Sequence, residues 1–182
     1  MNIMIGIEDE TTEDDIEKLV EAGADEFFCG IMPPDWVNLY GYQVSLNRRE
    51  WEQNQFKTFE KLANIVKRIH HFEKKVAVVF NAPDYYVTQI PYIKDYFKRL
   101  KQIEVDALII AEVPLIILLK QLNLNFDIYI SGTAGVYSSR AVKFYKKLGA
   151  KRIMFPRDIS IIEMERIIKK TSGLDLEYEA FI

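Results

Sequence analysis

Polar residues able to act on a substrate recur at or just beyond short apolar runs: Glu8, Cys29, Asn81, Glu112, Ser131 with Thr133, and Arg157 with Asp158. Glu179 lies inside the last run, where period two puts it on the same face as Glu177. Arg48 or Arg157 can grip a carboxylate or phosphate by a forked contact, and a carboxylate such as Glu112 can transfer protons. The ligand-binding candidates are therefore Arg48, Asn81, Glu112, Ser131, Arg157 and Glu179. No residue is assigned a catalytic role, and no metal site is assigned.

Each candidate has a plainer reading. Arg157 and Asp158 can form a loop ion pair or cap, Glu8 can serve a helix dipole, and Asn81 and Ser131 can satisfy backbone groups at strand ends. Cys29 reads as a small buried hydrophobe, because nothing near it in sequence activates a thiolate. His70 and His71 are adjacent, so on a helix their side chains diverge by about 100°, and a basic helix end explains them better than a metal does. The tyrosine and tryptophan residues from Trp36 to Trp51 can stack a nucleobase, line a lid over an organic ligand, or pack the loop onto the rim. The chain has no glycine-rich phosphate fingerprint, nucleophile elbow or zinc-ligand helix motif.

The elements that must position these residues alternate apolar runs with amphipathic segments, the pattern of a parallel sheet covered by helices. The runs predict strands at 3–7, 26–31, 75–80, 107–111, 127–130, 152–155 and 176–182. Helix starts are read at Thr11-Thr12 before three acids, at Pro114, at Ser138-Ser139, and at the capping-box spacing of Ser160 and Glu163; Gly23 and Gly149 read as stops. Helical periodicity also marks Phe59 to Ile69 and Ile93 to Leu100, whereas 32–53, with Pro33-Pro34, reads as a long loop. Seven strands and six main helices without a hairpin signal predict an α/β fold. The leading form is a parallel TIM-like (β/α) barrel as one domain over 1–182, with a doubly wound open sheet as the alternative. A full eightfold barrel takes about 250 residues, so the last β/α unit is expected to be lacking.

Composition narrows the function. The 182 residues carry 24 basic and 27 acidic side chains, a net charge of −3, which offers no field for duplex nucleic acid. One cysteine excludes an internal disulfide or an all-cysteine metal site made by this chain alone. There is no basic leader followed by an apolar stretch, and the apolar runs fall short of the roughly 20 residues of a membrane span, so a cytoplasmic location and no membrane partner are expected.

Several stretches resemble a known family. Glu21-Ala22-Gly23-Ala24-Asp25-Glu26-Phe27-Phe28-Cys29-Gly30 and Val105-Asp106-Ala107-Leu108-Ile109-Ile110 are similar to the collagenase-like peptidases, peptidase family U32. So are Ile130-Ser131, the run from Ser139 to Ile153, and Pro156-Arg157-Asp158-Ile159-Ser160, in the same order and spacing. The resemblance implies a TIM-like catalytic domain. Members carry a peptidase label, while relatives hydroxylate transfer or ribosomal RNA bases or quinone precursors with a cysteine-bound iron–sulfur cluster. By matching, Asn81 falls on the family's strand-three asparagine, Ser131 on its strand-five serine, Arg157 and Asp158 on its Arg-Glu pair, and Glu177 and Glu179 on its strand-seven glutamates. Arg48 and Asn54 fall on its loop arginine and asparagine.

Two departures bear on mechanism. Ser131-Gly132-Thr133 replaces the family's Ser-Thr-Gln, and the sequence ends at Phe181-Ile182, before the family's His-Gly stretch and cysteines. No cofactor is expected in this chain; an iron–sulfur cluster would need cysteines from downstream sequence. Two functional classes follow. One is an enzyme domain binding a small anionic or peptide-like substrate at the strand ends. The other is a non-catalytic remnant or binding subunit completed by a partner or a second copy.

Overall fold

The apolar runs form parallel strands in a computed structural model that describes residues 2–49 and 51–181. The elements are β1 (Met4–Gly6), α1 (Glu13–Glu21), β2 (Glu26–Ile31), α2 (Pro34–Tyr40), β3 (Gln55–Phe56), α3 (Phe59–His71), β4 (Lys75–Phe80), α4 (Ile90–Gln102), β5 (Ala107–Ile110), α5 (Val113–Gln121), β6 (Asp127–Ile130), α6 (Ser139–Lys147), β7 (Ala150–Met154), α7 (Ile161–Thr171) and β8 (Glu177–Glu179). The strand order β1-β2-β4-β5-β6-β7-β8 follows the chain without reversal, and two-residue β3 adds to β2. A doubly wound sheet requires a reversal, so that alternative is set aside. Among the described residues β1 pairs only with β2, and β8 only with β7.

The predicted helix signals act as expected. Thr12 caps α1 in a reciprocal box with Asp15, Ser160 does the same for α7 with Glu163, and Ser138 caps α6. Pro114 sits in the first turn of α5, where its missing N–H costs nothing. The stretch 32–53 departs from the expectation of a plain loop because it contains α2, started by Pro34 and stopped at Gly41 with φ 72°. Its seven residues are too few to show a helical period. What holds α2 is Trp36, fully buried, whose indole N–H donates to Val44 O at 2.6 Å. Trp36 is therefore a packing residue and offers no face for stacking. The strand expected at 176–182 is confined to Glu177–Glu179, and Ile182 lies outside the described residues. No described helix is long and apolar enough to cross a membrane.

Alternation along the strands makes two apolar layers. One side, including Phe27, Val78, Leu108 and Ile130, packs on the helices, and the other packs Ala77, Val79, Ala107, Ile109, Tyr129 and Met154 into the concave interior. The curl is set by side chains that meet across this interior. Arg152 on β7 donates to Glu26 on β2 at 2.6 Å, and Tyr129 on β6 donates to the other oxygen of Glu26 at 2.6 Å. In a flat sheet β2 and β7 would stand four strand spacings apart, roughly 19 Å at about 4.8 Å each, beyond the reach of these side chains. Arg152 also donates to Glu177 at 2.6 and 2.8 Å and to Glu179 at 3.1 Å, and its guanidinium lies 4.1 Å from the centre of the Tyr129 ring. The small Ala77 and Ala107 leave room for these large side chains. The result is a TIM-like barrel left incomplete at seven main strands.

A second buried polar device fixes the segment after β2. The side-chain amides of Asn47 and Gln55 bond reciprocally at 2.9 Å in both directions, and both residues are buried. They lie directly on Gly30, where a Cβ would stand 2.3 Å from Gln55 Oε1 and 2.9 Å from Asn47 Nδ2. A strand glycine here marks a close approach.

Two outcomes follow. Arg152→Met strands the Glu26 carboxylate in the interior and should lower unfolding free energy by about 3–5 kcal/mol. Adding Glu26→Gln should recover more than half of that loss in urea denaturation, and an Arg152→Met variant as stable as the parent would contradict the assigned role. Gly30→Ala should cost about 1–3 kcal/mol, and hydrogen exchange should report the loosening first at residues 44–56.

Candidate functional site

The strand carboxyl ends converge on one rim, and the segments that follow them carry the predicted residues. At the end of β4, Asn81 is a junction: its Oδ1 accepts the Arg48 backbone N–H at 2.9 Å, and its Nδ2 donates to Ser131 Oγ at 2.9 Å. Ser131, buried at the end of β6, shares its hydroxyl with Thr133 Oγ1 at 3.0 Å and accepts the Thr133 N–H at 3.3 Å. Arg48, Asn81 and Ser131 are thus joined, with the Arg48 side chain exposed. Tyr85 reinforces the junction by donating to Leu46 O at 2.6 Å and accepting the Ala82 N–H at 3.1 Å; burial raises its hydroxyl pKa.

The neighbouring arginine is the one that turns inward. Arg49 donates to Ile7 O at 3.0 Å and Asn54 O at 3.1 Å, and its guanidinium lies 4.9 Å from the centre of the Phe28 ring. Gly6 makes room for it, since a Cβ there would meet Arg49 Nη1 at 3.0 Å. Burial lowers the Arg49 pKa from its ordinary value, opposed by the nearby Cys29 and Glu8. Composition and spacing do not separate Arg48 from Arg49. The available clue was Gly30 inside a strand, which signals that the loop behind it must come close.

On the β7–β8 side, Arg157 is exposed and stacks over Phe181 at 4.7 Å. It makes no ion pair with Asp158, which instead accepts the Tyr137 hydroxyl at 2.6 Å. The loop-ion-pair reading of Arg157-Asp158 is thereby corrected: a tyrosine from the preceding loop occupies the carboxylate. Phe181 also lies on Gly132, where a Cβ would stand 3.3 Å from its ring and 3.0 Å from Phe155 O. The glycine that departs from the family's Ser-Thr-Gln pattern is what lets this ring approach the Ser131 segment. Glu179 bonds Arg152 at 3.1 Å, and its carbonyl accepts the Phe155 N–H. Burial raises its carboxyl pKa; Arg152 counters this, and Glu26 and Glu177 add to it.

Glu112 stands apart. It precedes α5 without a side-chain capping bond and has no ion pair among the described residues, while its charge adds to burial in raising the hydroxyl pKa values of Tyr85 and Tyr145. The two histidines go separate ways at the far end of the strands, His70 to Asp106 at 2.9 Å and His71 against Phe72. A hollow of about 430 Å³ between Lys101, Asp106, Phe126 and Asp127 also lies at that far end, and none of the predicted site residues lines it.

The fit to an iron–sulfur cluster can be tested on the thiol. Cys29 is fully buried between β2 and the helices, and burial raises its pKa to about 12. A cluster requires several accessible thiolates, so the residues of this chain do not fit one. Ser131, the serine of the rim, is hydrogen-bonded to an amide and a second hydroxyl, neither of which can take up its proton.

Comparisons with known proteins agree with this architecture. The model of peptidase family U32 matches residues 12–182. The chain is 30% identical over 112 residues to tRNA hydroxylation protein P of Haemophilus influenzae, covering 62% of this chain and 24% of that protein. It is 29% identical over 129 residues to tRNA hydroxylation protein P of Escherichia coli, covering 71% and 28%. It therefore spans about a quarter of the length of these relatives. Among solved structures, the U32 peptidase Mk0906 superposes with a TM-score of 0.63 at 14% identity, covering 99% of this chain and 68% of that one. A structure from Aquifex aeolicus VF5 gives 0.61 at 14% identity, covering 98% and 73%. At that identity the likeness shows the shared fold, and with a family match that runs from the start of α1 to the last residue, the chain belongs to peptidase family U32.

Proposed function

We propose that this chain is a substrate-holding barrel that receives a ribonucleotide at its C-terminal rim, as part of a tRNA-hydroxylating activity rather than a proteolytic one. The observation that carries the reading is the bonding of Ser131. Its hydroxyl is engaged by Asn81 and Thr133, and no histidine, lysine or carboxylate is hydrogen-bonded to it among the described residues. A serine nucleophile needs such a base. The second Asn81 amide N–H and the exposed Thr133 are suited to reading a base edge, and the exposed Arg157 is suited to a phosphate. The names of the Haemophilus and Escherichia relatives support an RNA substrate.

A second reading rests on β1 and β8, each of which pairs on one side only among the described residues. Parallel edges are normally covered, so further polypeptide, from a partner, a second copy or another stretch of the same protein, completes the wall between them. The rim described above serves either form.

Titration with the four ribonucleoside 5′-monophosphates, followed by calorimetry, tests the first reading. At least one should bind, and Arg157→Ala should weaken it about 5- to 10-fold, the loss expected for one hydrogen-bonding contact at a solvated rim. A chain that ignores all four nucleotides but cleaves a gelatin-derived peptide in a Ser131-dependent way would reverse the assignment.

A further inference from the structure

Exposed apolar side chains are distributed unequally between the two ends of the barrel. Ile117, Phe144 and Ile168 are exposed in the middle of helices; the other large exposed apolar residues all lie on segments that follow strand carboxyl ends. The opposite end carries none of them among the described residues. Four are aromatic rings half or more exposed: Trp51 at 68%, Tyr86 at 59%, Tyr137 at 52% and Phe181 at 50%. They follow β2, β4, β6 and β8 respectively, so they are carried by four separate segments at the strand carboxyl ends. The same end of the strands carries the bonded pair Asn81 and Ser131 and the exposed Arg48 and Arg157.

Two of the rings are held in place. The Tyr137 hydroxyl is bonded to Asp158, and the Phe181 ring lies against the Arg157 guanidinium at 4.7 Å. Pinning a ring before a ligand arrives reduces the ordering cost of binding. The Tyr137 bond also fixes the Asp158 carboxylate, next in sequence to Arg157, and with a chain charge of −3 the rim has little net attraction for a polyanion. Exposed flat rings on separate segments that also carry hydrogen-bonding groups suit bases that stack one at a time. A folded protein partner would be better served by a contiguous apolar patch.

We infer that the rim recognises an unpaired stretch of RNA, held mainly by stacking on Trp51, Tyr86, Tyr137 and Phe181 and only weakly through its phosphates. This rests on the nucleotide reading above and adds the form of RNA and the source of its affinity. Stacked bases need both faces free, so a duplex of the same sequence is refused.

The test is fluorescence anisotropy of the whole chain with a labelled single-stranded RNA of about 12 nucleotides, within the site sizes that stacking platforms occupy. Trp51→Ala and Tyr137→Ala should each weaken binding by roughly 5- to 100-fold, and Tyr137→Phe, which keeps the ring, by less than about 3-fold. With two exposed arginines as the phosphate contacts, log K should fall against log salt with a slope of about −1.4. Both rings are exposed, so unchanged thermal melting of the variants separates lost binding from lost folding. Alanine variants that bind like the parent, a slope steeper than about −4, or preference for the duplex overturns the inference. Strand binding that is absent while a monophosphate still binds overturns the inference alone, and absence of both overturns it together with the nucleotide reading.

Discussion

The architecture depends on one buried guanidinium. Arg152 faces Glu26, Glu177 and Glu179 from the middle of the concave wall, and Tyr129 supplies both a ring for it to lie on and a further hydrogen bond to Glu26. Burial by itself would lower the Arg152 pKa; Glu26 and Glu177 more than reverse that, so the charge is kept. A charge of this kind is tolerated only when its partners stay in place, which ties the first half of the sheet to the last. Backbone ladders bind only neighbours. The curvature that gathers the rim into one place comes from side chains that skip over them.

Above that wall, the rim residues are held by amides and hydroxyls. Asn81 links three segments through one side chain, and the Asn47–Gln55 pair presents Arg49 by accepting its N–H and, through Gln55 Nε2, donating to its carbonyl. Neutral groups of this type fix positions without adding charge, so the electrostatics of the mouth are left to Arg48, Arg49 and Arg157 and to the carboxylates of Asp158 and Glu179. Arg49 stands beside β1, and Arg157 and Glu179 beside β8; among the described residues these two strands pair on one side only, and further polypeptide there would shield a substrate from solvent.

Much of this was legible in the residues. Apolar runs of four to seven residues separated by capped amphipathic stretches are strong local signals, so the seven main strands, the Thr12, Ser138 and Ser160 caps and the parallel order could be read directly, whereas two-residue β3 is too short to leave a pattern. Period two put Glu177 and Glu179 on one face, and the structure shows both on Arg152. What could not be read depends on contacts between distant segments. Nothing local says that Trp36 is buried by the chain returning to Val44, that Arg49 and not Arg48 turns inward, or that Asp158 is taken by Tyr137. α2 is missed because a seven-residue helix rich in tryptophan, valine and tyrosine carries neither a helical period nor a high intrinsic propensity.

The Tyr85 hydroxyl has an evolutionary consequence. It spans two loops, donating to Leu46 in one and accepting from Ala82 in the other. Neither loop can lengthen or shorten without breaking the bridge that orders its neighbour, so descendants of this chain would have to remodel both together, and substrate preference would change in paired steps.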